Sequence, residues 1–116
     1  MKLEREMMRG VGVLVVLKLL AKRAMYGYEL VQAITTDTEG VLEMAQSTLY
    51  PLLYNLESQD LIKGEWQAGT GARQRKYYHL TAKGLKRLAR DEAQWRMLAK
   101  GLKRLLEGDA QPEPAR

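Results

Sequence analysis

The chain has 116 residues, of which 46% are hydrophobic, and its formal net charge is +5. This length predicts one domain with enough apolar residues for a core, because single domains commonly run to about 100–150 residues. The absence of cysteine excludes disulfides, thiolate metal sites and cysteine nucleophiles, and a reducing, cytoplasmic location is expected.

The positive charge lies before the C-terminal segment. Residues 107–116 contribute −2, which leaves +7 on residues 1–106. A basic balance favours a polyanionic partner such as nucleic acid, although a solvated cationic face that serves solubility is the other interpretation. The most apolar run, residues 11–21, contains Lys18 and is shorter than the roughly 20 residues of a membrane span. We therefore expect neither a signal peptide nor a transmembrane helix, and no membrane partner.

Two helices are predicted in the N-terminal part of the chain. Residues 3–22 are apolar on all sides, and their length favours a buried helix over a strand. Met7 and Met8 lie near its start, where methionines form either an adaptable surface or ordinary core packing. Residues 26–36 form a second, amphipathic helix, and the polar stretch that ends at Gly40 forms a turn.

The third predicted helix, residues 46–60, has two different faces. Its leucines recur at i, i+3, i+4 and i+7 and form one stripe: Leu49, Leu52, Leu53 and Leu56. The opposite face carries hydroxyl, amide and phenol groups, with no charge at its N-terminal end. We expect the Ser47 hydroxyl to cap this helix, which places Pro51 near the start, where a missing N–H costs least.

A β-hairpin is predicted next. Residues 61–67 and 73–80 form its strands, and the glycine-containing residues 68–72 form a tip longer than two residues. Three cations lie at the beginning of the second strand: Arg73, Arg75 and Lys76. A cationic two-stranded arm is suited to contact with phosphates.

A long fourth helix is predicted over residues 82–107, with Thr81 as its cap. At about 39 Å it is too long for one small domain to bury. Its apolar residues recur at intervals of seven and at positions between, as in a helix that packs on a partner helix. We therefore predict a homodimer whose interface includes Leu85, Leu88, Trp95, Leu98, Leu102 and Leu105. Residues 108–116 are expected to form a disordered tail.

Three helices followed by a basic hairpin indicate a winged helix-turn-helix. The predicted fold class is mainly α (α+β), a winged helix-turn-helix with a C-terminal dimerisation helix. Residues 1–80 are assigned to the DNA-binding domain, with the N-terminal helix contributing to the dimer. Residues 81–107 are assigned to the dimerisation helix and residues 108–116 to the tail.

Three segments carry a closer resemblance. They are Met25-Tyr26-Gly27-Tyr28-Glu29-Leu30, then Ser47-Thr48-Leu49-Tyr50-Pro51 continuing through Leu56-Glu57 to Leu61-Ile62, and Arg75-Lys76-Tyr77-Tyr78-His79-Leu80-Thr81 with Gly84. Together they resemble the PadR family of transcriptional regulators in its short form, which has a single C-terminal helix. Asp60 stands where the family usually has Gly, and it tolerates a left-handed backbone. The resemblance implies a dimeric, usually repressing, DNA-binding protein whose operator affinity changes when a small apolar or aromatic compound binds.

The expected partner is double-stranded operator DNA. The predicted contacts are Tyr28, Ser47, Thr48, Tyr50, Pro51, Arg73, Arg75, Lys76 and Tyr77. No Arg or Lys lies in residues 46–60, so readout of the major groove should depend on thymine methyls and on DNA shape. Packing against the hairpin is an open alternative for Tyr50 and is expected for Tyr54, while Trp66 is expected to pack under the wing.

Trp95 is the candidate effector residue. With its symmetry mate and with Met7, Met8 and Met97, it would form a flat hydrophobic slot for a small aromatic or planar ligand. The alternative, in which Trp95 fills the dimer core, stays open. No metal, cofactor or catalytic site is predicted: His79 is the only histidine, and the Gly69–Gly71 pair lacks the lysine of a phosphate loop and is interpreted as a wing turn.

The sequence therefore predicts a ligand-responsive, sequence-specific transcriptional repressor and not an enzyme. The alternative function is a winged-helix module that binds another protein and does not respond to a ligand. The cationic hairpin favours the first interpretation, because a protein-binding winged helix has no need for a basic wing.

Overall fold

The computed structural model describes residues 1–68, 71, 73–108 and 113–115. Its elements in chain order are α1 (Arg5–Lys22), β1 (Met25–Tyr26), α2 (Gly27–Asp37), α3 (Gln46–Ser58), β2 (Ile62–Ala68), β3 (Gln74–Leu80) and α4 (Ala82–Leu106). The strands form one antiparallel sheet in the order β1-β3-β2. This architecture confirms the predicted winged helix-turn-helix, with β2 and β3 as the wing. Most of the predicted hairpin tip and of the predicted tail lies outside the described residues.

The first helix begins two residues later than predicted. Leu3 donates its N–H to the carbonyl of Val41 at 2.8 Å, so this residue is held by the loop before α3 and not by helical hydrogen bonds. Helix α1 therefore starts at Arg5. The contact also ties the N-terminus of the chain to the segment that leads into α3.

Strand β1 was not anticipated from the sequence. It pairs Met25 with Tyr78 and Tyr26 with Tyr77, and α2 then begins at Gly27. A two-residue strand has no periodicity of its own, so only pairing with β3 identifies it. The strand joins the start of α2 to the wing.

The leucine stripe of α3 lies in the centre of the core. Leu49, Leu53 and Leu56 are at most 1% exposed, and Leu52 is half-buried. They belong to one hydrophobic cluster with fully buried side chains of α1 and α2: Val16, Leu17, Leu30 and Ile34. The predicted stripe is confirmed, and its burial turns the polar face of α3 to solvent.

One threonine joins the beginning of α4 to the end of α3. The Thr81 hydroxyl accepts a hydrogen bond from the Gly84 N–H at 2.9 Å and donates to the Asp60 carbonyl at 2.6 Å. Asp60 has a left-handed backbone, with φ of 60°. Both the cap predicted for α4 and the expected tolerance of Asp60 for this conformation are confirmed.

Only the first part of α4 packs on its own chain. The helix has 25 residues, or about 38 Å, and its Glu92 pairs with Lys18 of α1 at 2.9 Å. Every described residue beyond Glu92 is exposed. The molecule is accordingly elongated, with extents of 65 × 28 × 22 Å. Among the described residues, no helix is both long enough and apolar enough to cross a membrane.

The pair between α1 and α4 predicts a pH dependence of stability. The hydrogen bond from the Lys18 ammonium holds the pKa of Glu92 below its usual range. A carboxyl group with a lowered pKa in the folded state stabilises that state above its unfolded pKa and loses this effect as the pH falls through the folded value. We expect Glu92→Gln to lower the melting temperature at neutral pH, and we expect this effect to disappear at an acid pH below the lowered pKa of Glu92.

Calorimetry of wild type and variant at both pH values measures this difference. Glu107→Gln, at the C-cap of α4, is the control, because it removes a carboxylate at the end of the same helix and leaves the contact between Glu92 and Lys18 in place. An equal loss of melting temperature at neutral and acid pH would mean that the charge contact is not the cause.

Candidate nucleic-acid interface

The N-terminal half of α3 forms an exposed, uncharged surface. Ser47, Thr48, Tyr50 and Pro51 are all exposed on it. The helix begins at Gln46, and no described side chain caps it. The prediction that Ser47 is the cap is wrong, because the extended backbone that precedes a helix occurs at Ala45 and Ser47 is already helical. Its hydroxyl group is therefore not used for capping.

Pro51 lies further inside the helix than predicted. It is the sixth residue of α3, beyond the first turn. Proline has no N–H, so the carbonyl of Ser47, four residues earlier, lacks its usual helical donor. The leading part of α3 thus contains a backbone carbonyl without its usual helical donor, in addition to the hydroxyl groups of Ser47 and Thr48.

Tyr50 combines packing with exposure. Its phenol lies over Gly27 at the start of α2, where a β-carbon would stand 2.5 Å from the hydroxyl oxygen. The side chain is nevertheless 47% exposed. Tyr28, the second residue of α2, is 52% exposed. The start of α2 thus supports Tyr50 and presents a second phenol group beside α3.

Two aromatic side chains are more exposed than predicted. Tyr54 is 73% exposed and Trp66 is 66% exposed, so the predictions that they pack against or under the wing are wrong. Nearer the core, the space between α3 and the wing is taken by Glu57 and Lys76, which approach each other across Gly64. Trp66 lies two residues nearer the tip than Gly64, where it is the cross-strand neighbour of Lys76.

Arg75 lies on the outer face of the sheet and is held there by an aromatic pair. Its guanidinium carbon is 4.6 Å from the centroid of the Tyr26 ring, which is the geometry of a cation–π contact. Tyr26 in turn packs edge-to-face on Tyr77, with ring centroids 5.4 Å apart. Arg73 precedes β3 and is exposed. These two arginines thus present cationic groups on the wing.

Lys76 lies on the opposite face of β3 and contacts α3. Its ammonium donates to Oε1 of Glu57 at 3.1 Å and lies 5.4 Å from the centroid of the Tyr78 ring. The second oxygen of Glu57 accepts from the N–H of Gly64 at 3.1 Å. The hydrogen bond to Glu57 raises the pKa of Lys76, and burial raises the pKa of the Tyr78 phenol.

A groove of about 910 Å³ separates the beginning of α1 from the middle of α4. Met7 and Trp95 line it, together with Leu98 and Leu102. Of the other predicted effector residues, Met8 is buried in the core and Met97 lies outside this groove. The apolar wall formed by α4 is partly exposed, and Trp95 itself is 43% exposed.

The leucines predicted for the dimer interface lie in four different environments. Leu98 and Leu102 line the groove, while Leu105 is exposed further along α4. Leu88 is only 3% exposed and packs inside its own chain. Leu85 is exposed and lines a separate cavity beside His79. Among the described residues, no three histidine, aspartate or glutamate side chains come together as a metal site would require.

Comparison with known proteins decides the family. Residues 16–90 match the model of the transcriptional regulator PadR-like family, and this range contains all three segments of the resemblance. The chain is a PadR-family transcriptional regulator.

Solved structures agree with this assignment. The chain is 41% identical to a PadR family transcriptional regulator from Eggerthella lenta, with a TM-score of 0.77 over 90% of this chain and 88% of that one. It is 31% identical to a PadR-like transcriptional regulator from Bacillus cereus, with a TM-score of 0.80 over 90% and 99% of the two chains. It is 26% identical to a transcriptional regulator from Clostridium thermocellum, with a TM-score of 0.80 over 88% and 99%.

Three residues of this PadR-family interface were missed as functional candidates. Tyr26, Glu57 and Gly64 make the contacts that hold Arg75 and Lys76 in place. Their partners lie far away in sequence, so no local spacing indicates them. The alternation of side chains along β3 was the one available signal, since it places neighbouring cations on opposite faces of the sheet.

The contact between Tyr50 and Gly27 predicts an overpacking effect. Gly27→Ala would place a β-carbon against the Tyr50 ring. We expect it to lower the free energy of unfolding by about 1–3 kcal/mol, as measured by urea denaturation. Gly10→Ala is the matched control, because nothing lies within 4 Å of a β-carbon there. That change should stabilise α1 by roughly 0.5–1 kcal/mol.

A second substitution separates this packing effect from other causes. If the Tyr50 ring is the obstacle, adding Tyr50→Ala to Gly27→Ala should recover part of the lost stability. A Gly27→Ala protein that unfolds at the urea concentration of the wild type would show that Tyr50 does not pack there.

Proposed function

We propose that this PadR-family regulator binds an operator in double-stranded DNA as a homodimer, and that it represses transcription until a small aromatic or apolar ligand binds at the dimer interface. One observation supports DNA binding most directly. An exposed, uncharged helix end is combined with a wing that carries two arginines, of which Arg73 is exposed and Arg75 is half-buried against the Tyr26 ring.

In this proposal the leading end of α3 enters the major groove. Its exposed groups are the hydroxyls of Ser47 and Thr48, the phenol of Tyr50 and the ring of Pro51. None of the residues from Gln46 to Ser58 is Arg or Lys, so bidentate contacts with guanine are unavailable from this helix. Specificity then rests on hydroxyl contacts with base edges, apolar contacts with thymine methyls and the shape of the DNA.

Affinity in this proposal comes mainly from the wing. Arg73 and Arg75 contact phosphates or the minor groove, and Tyr77 and Tyr28 lie at the border of the interface. Each phosphate that a cation neutralises releases counterions from the DNA. Binding should therefore weaken steeply as the salt concentration rises.

The dimer in this proposal forms through the exposed half of α4. Leu98, Leu102 and Leu105 are 50%, 42% and 76% exposed in the single chain. Apolar side chains repeated along one side of a helix are the usual surface for a partner helix. A two-fold dimer would place two α3 helices on successive half-sites of an operator.

The role of the wing can be tested by replacing its arginines. We expect Arg73→Ala and Arg75→Ala to weaken binding to every DNA sequence and to lower the slope of log affinity against log salt by about 1 each. Fluorescence anisotropy measures both quantities, using a labelled duplex from upstream of the chain's own gene and a random duplex of equal length.

Lys100→Ala, on the exposed half of α4, is the control and should leave the slope unchanged. An unchanged slope in both arginine variants would contradict the role of the wing. A folded wild type that binds neither duplex would instead favour the alternative function, a winged-helix module that binds protein.

The ligand response can be tested through Trp95. The chain has two tryptophans, so Trp66→Phe leaves Trp95 as the only source of indole emission. In that background we expect planar cationic or phenolic compounds to quench the emission with saturation, because planar ligands stack on indole. The same compounds should lower the anisotropy of the labelled DNA complex.

Trp95→Leu, which retains Trp66, is the comparison. Its emission should not respond, because Trp66 lies on the wing and does not line the groove. Equal titration curves for the two proteins would exclude a ligand site at Trp95.

A further inference from the structure

We propose that Glu57, Gly64 and Lys76 form a clamp that sets the position of the wing relative to α3, and that Lys76 is a positioning residue and not a phosphate contact. This inference rests on the DNA-binding function proposed above. It concerns how that interface is held together and which cation of the wing remains available to DNA.

A single carboxylate joins three elements. Glu57 is the second-last residue of α3, and its Oε1 accepts from the Lys76 ammonium of β3 at 3.1 Å. Its Oε2 accepts from the backbone N–H of Gly64 in β2 at 3.1 Å. Both strands of the wing are therefore bound to the helix whose other end is proposed to read the DNA.

Gly64 provides the space that the clamp needs. A β-carbon at this position would overlap Cε of Lys76 and would stand 3.0 Å from Oε2 of Glu57. The lysine stem can therefore lie against β2 only because residue 64 has no side chain. The ammonium also lies 5.4 Å from the Tyr78 ring, so the Lys76 side chain is held along its length.

The neighbouring arginine has the opposite orientation. Arg75 stacks on Tyr26 on the outer face of the sheet, whereas Lys76 points toward α3. Successive side chains of a strand point to opposite faces, so the two cations cannot both face the same partner. Lys76 and Glu57 are each about one-third exposed. At such a site, release of the ammonium to a phosphate would leave the Glu57 carboxylate partly buried without its cation.

A loosened clamp should therefore reduce operator affinity without removing a phosphate contact. Helix and wing must meet the groove and the backbone at the same time, so their relative position limits the number of contacts formed. A residue that only positions the wing changes the affinity for DNA and leaves its salt dependence as it is. A residue that contacts phosphate also changes the number of counterions released.

The test compares Lys76→Met with Arg73→Ala in anisotropy titrations over a range of salt concentrations, using the same two duplexes. We expect Lys76→Met to weaken operator binding on the order of tenfold, with the salt slope of the wild type retained. Arg73→Ala should lower the slope by about 1. A Lys76→Met slope lowered as in Arg73→Ala would overturn the inference.

Gly64→Ala tests the clamp without removing a charge. It displaces the Lys76 stem, so we expect weaker operator binding with an unchanged slope, while Gln67→Ala, at an exposed position of the same strand, should bind as the wild type does. Operator affinity equal to wild type in Gly64→Ala would also overturn the inference.

A double-mutant cycle tests whether Glu57 and Lys76 act together. Glu57→Gln combined with Lys76→Met should weaken operator binding no more than the stronger single variant. Independent, additive losses would contradict a clamp. If the folded wild type does not bind DNA, the proposed function itself is wrong. If the wild type binds DNA but Lys76→Met lowers the salt slope, only the clamp inference is wrong.

Discussion

Burial of the leucine stripe of α3 fixes how this helix is oriented on the core. Leu49, Leu53 and Leu56 are almost completely buried against α1 and α2. Truncation of one such side chain to alanine typically lowers the free energy of unfolding by about 2–5 kcal/mol. This loss is large beside the total free energy of unfolding of a typical protein, about 5–15 kcal/mol. No other rotation of α3 could bury these leucines. Its hydroxyl and phenol groups must therefore face solvent, and the proposed DNA surface follows from the packing of the core.

Neighbouring residues of β3 make different contacts because they lie on opposite faces of the wing. Arg75 and Lys76 are adjacent and carry the same charge, but one stacks on Tyr26 at the outer face and the other pairs with Glu57 at the inner face. Strand alternation produces this division. Not every cation of a basic segment is therefore available to a polyanion, because Lys76 pairs with a carboxylate of α3.

In the proposed function, the exposed half of α4 would serve both dimerisation and ligand binding. Within one chain, the groove beside Trp95 is lined by α1, by the middle of α4 and by the segment after α2 that includes Val41 and Leu42, while Leu98 and Leu102 remain partly exposed along it. Whatever covers these leucines also completes the walls around Trp95. A partner chain and a planar ligand would therefore contact the same surface. Binding of the ligand would then alter how the two chains pack on each other.

Local patterns were sufficient for most of the fold. They predicted the four helices, the wing, the leucine stripe, the cap at Thr81 and the left-handed residue Asp60, because each depends on residues close together along the chain. Three other features are visible only in the folded chain: β1 pairs with β3, Tyr54 and Trp66 remain exposed, and Lys76 turns toward α3. These features depend on contacts between segments that are distant in sequence. A local sequence pattern does not show which segments meet, how much space remains between them or which charges pair.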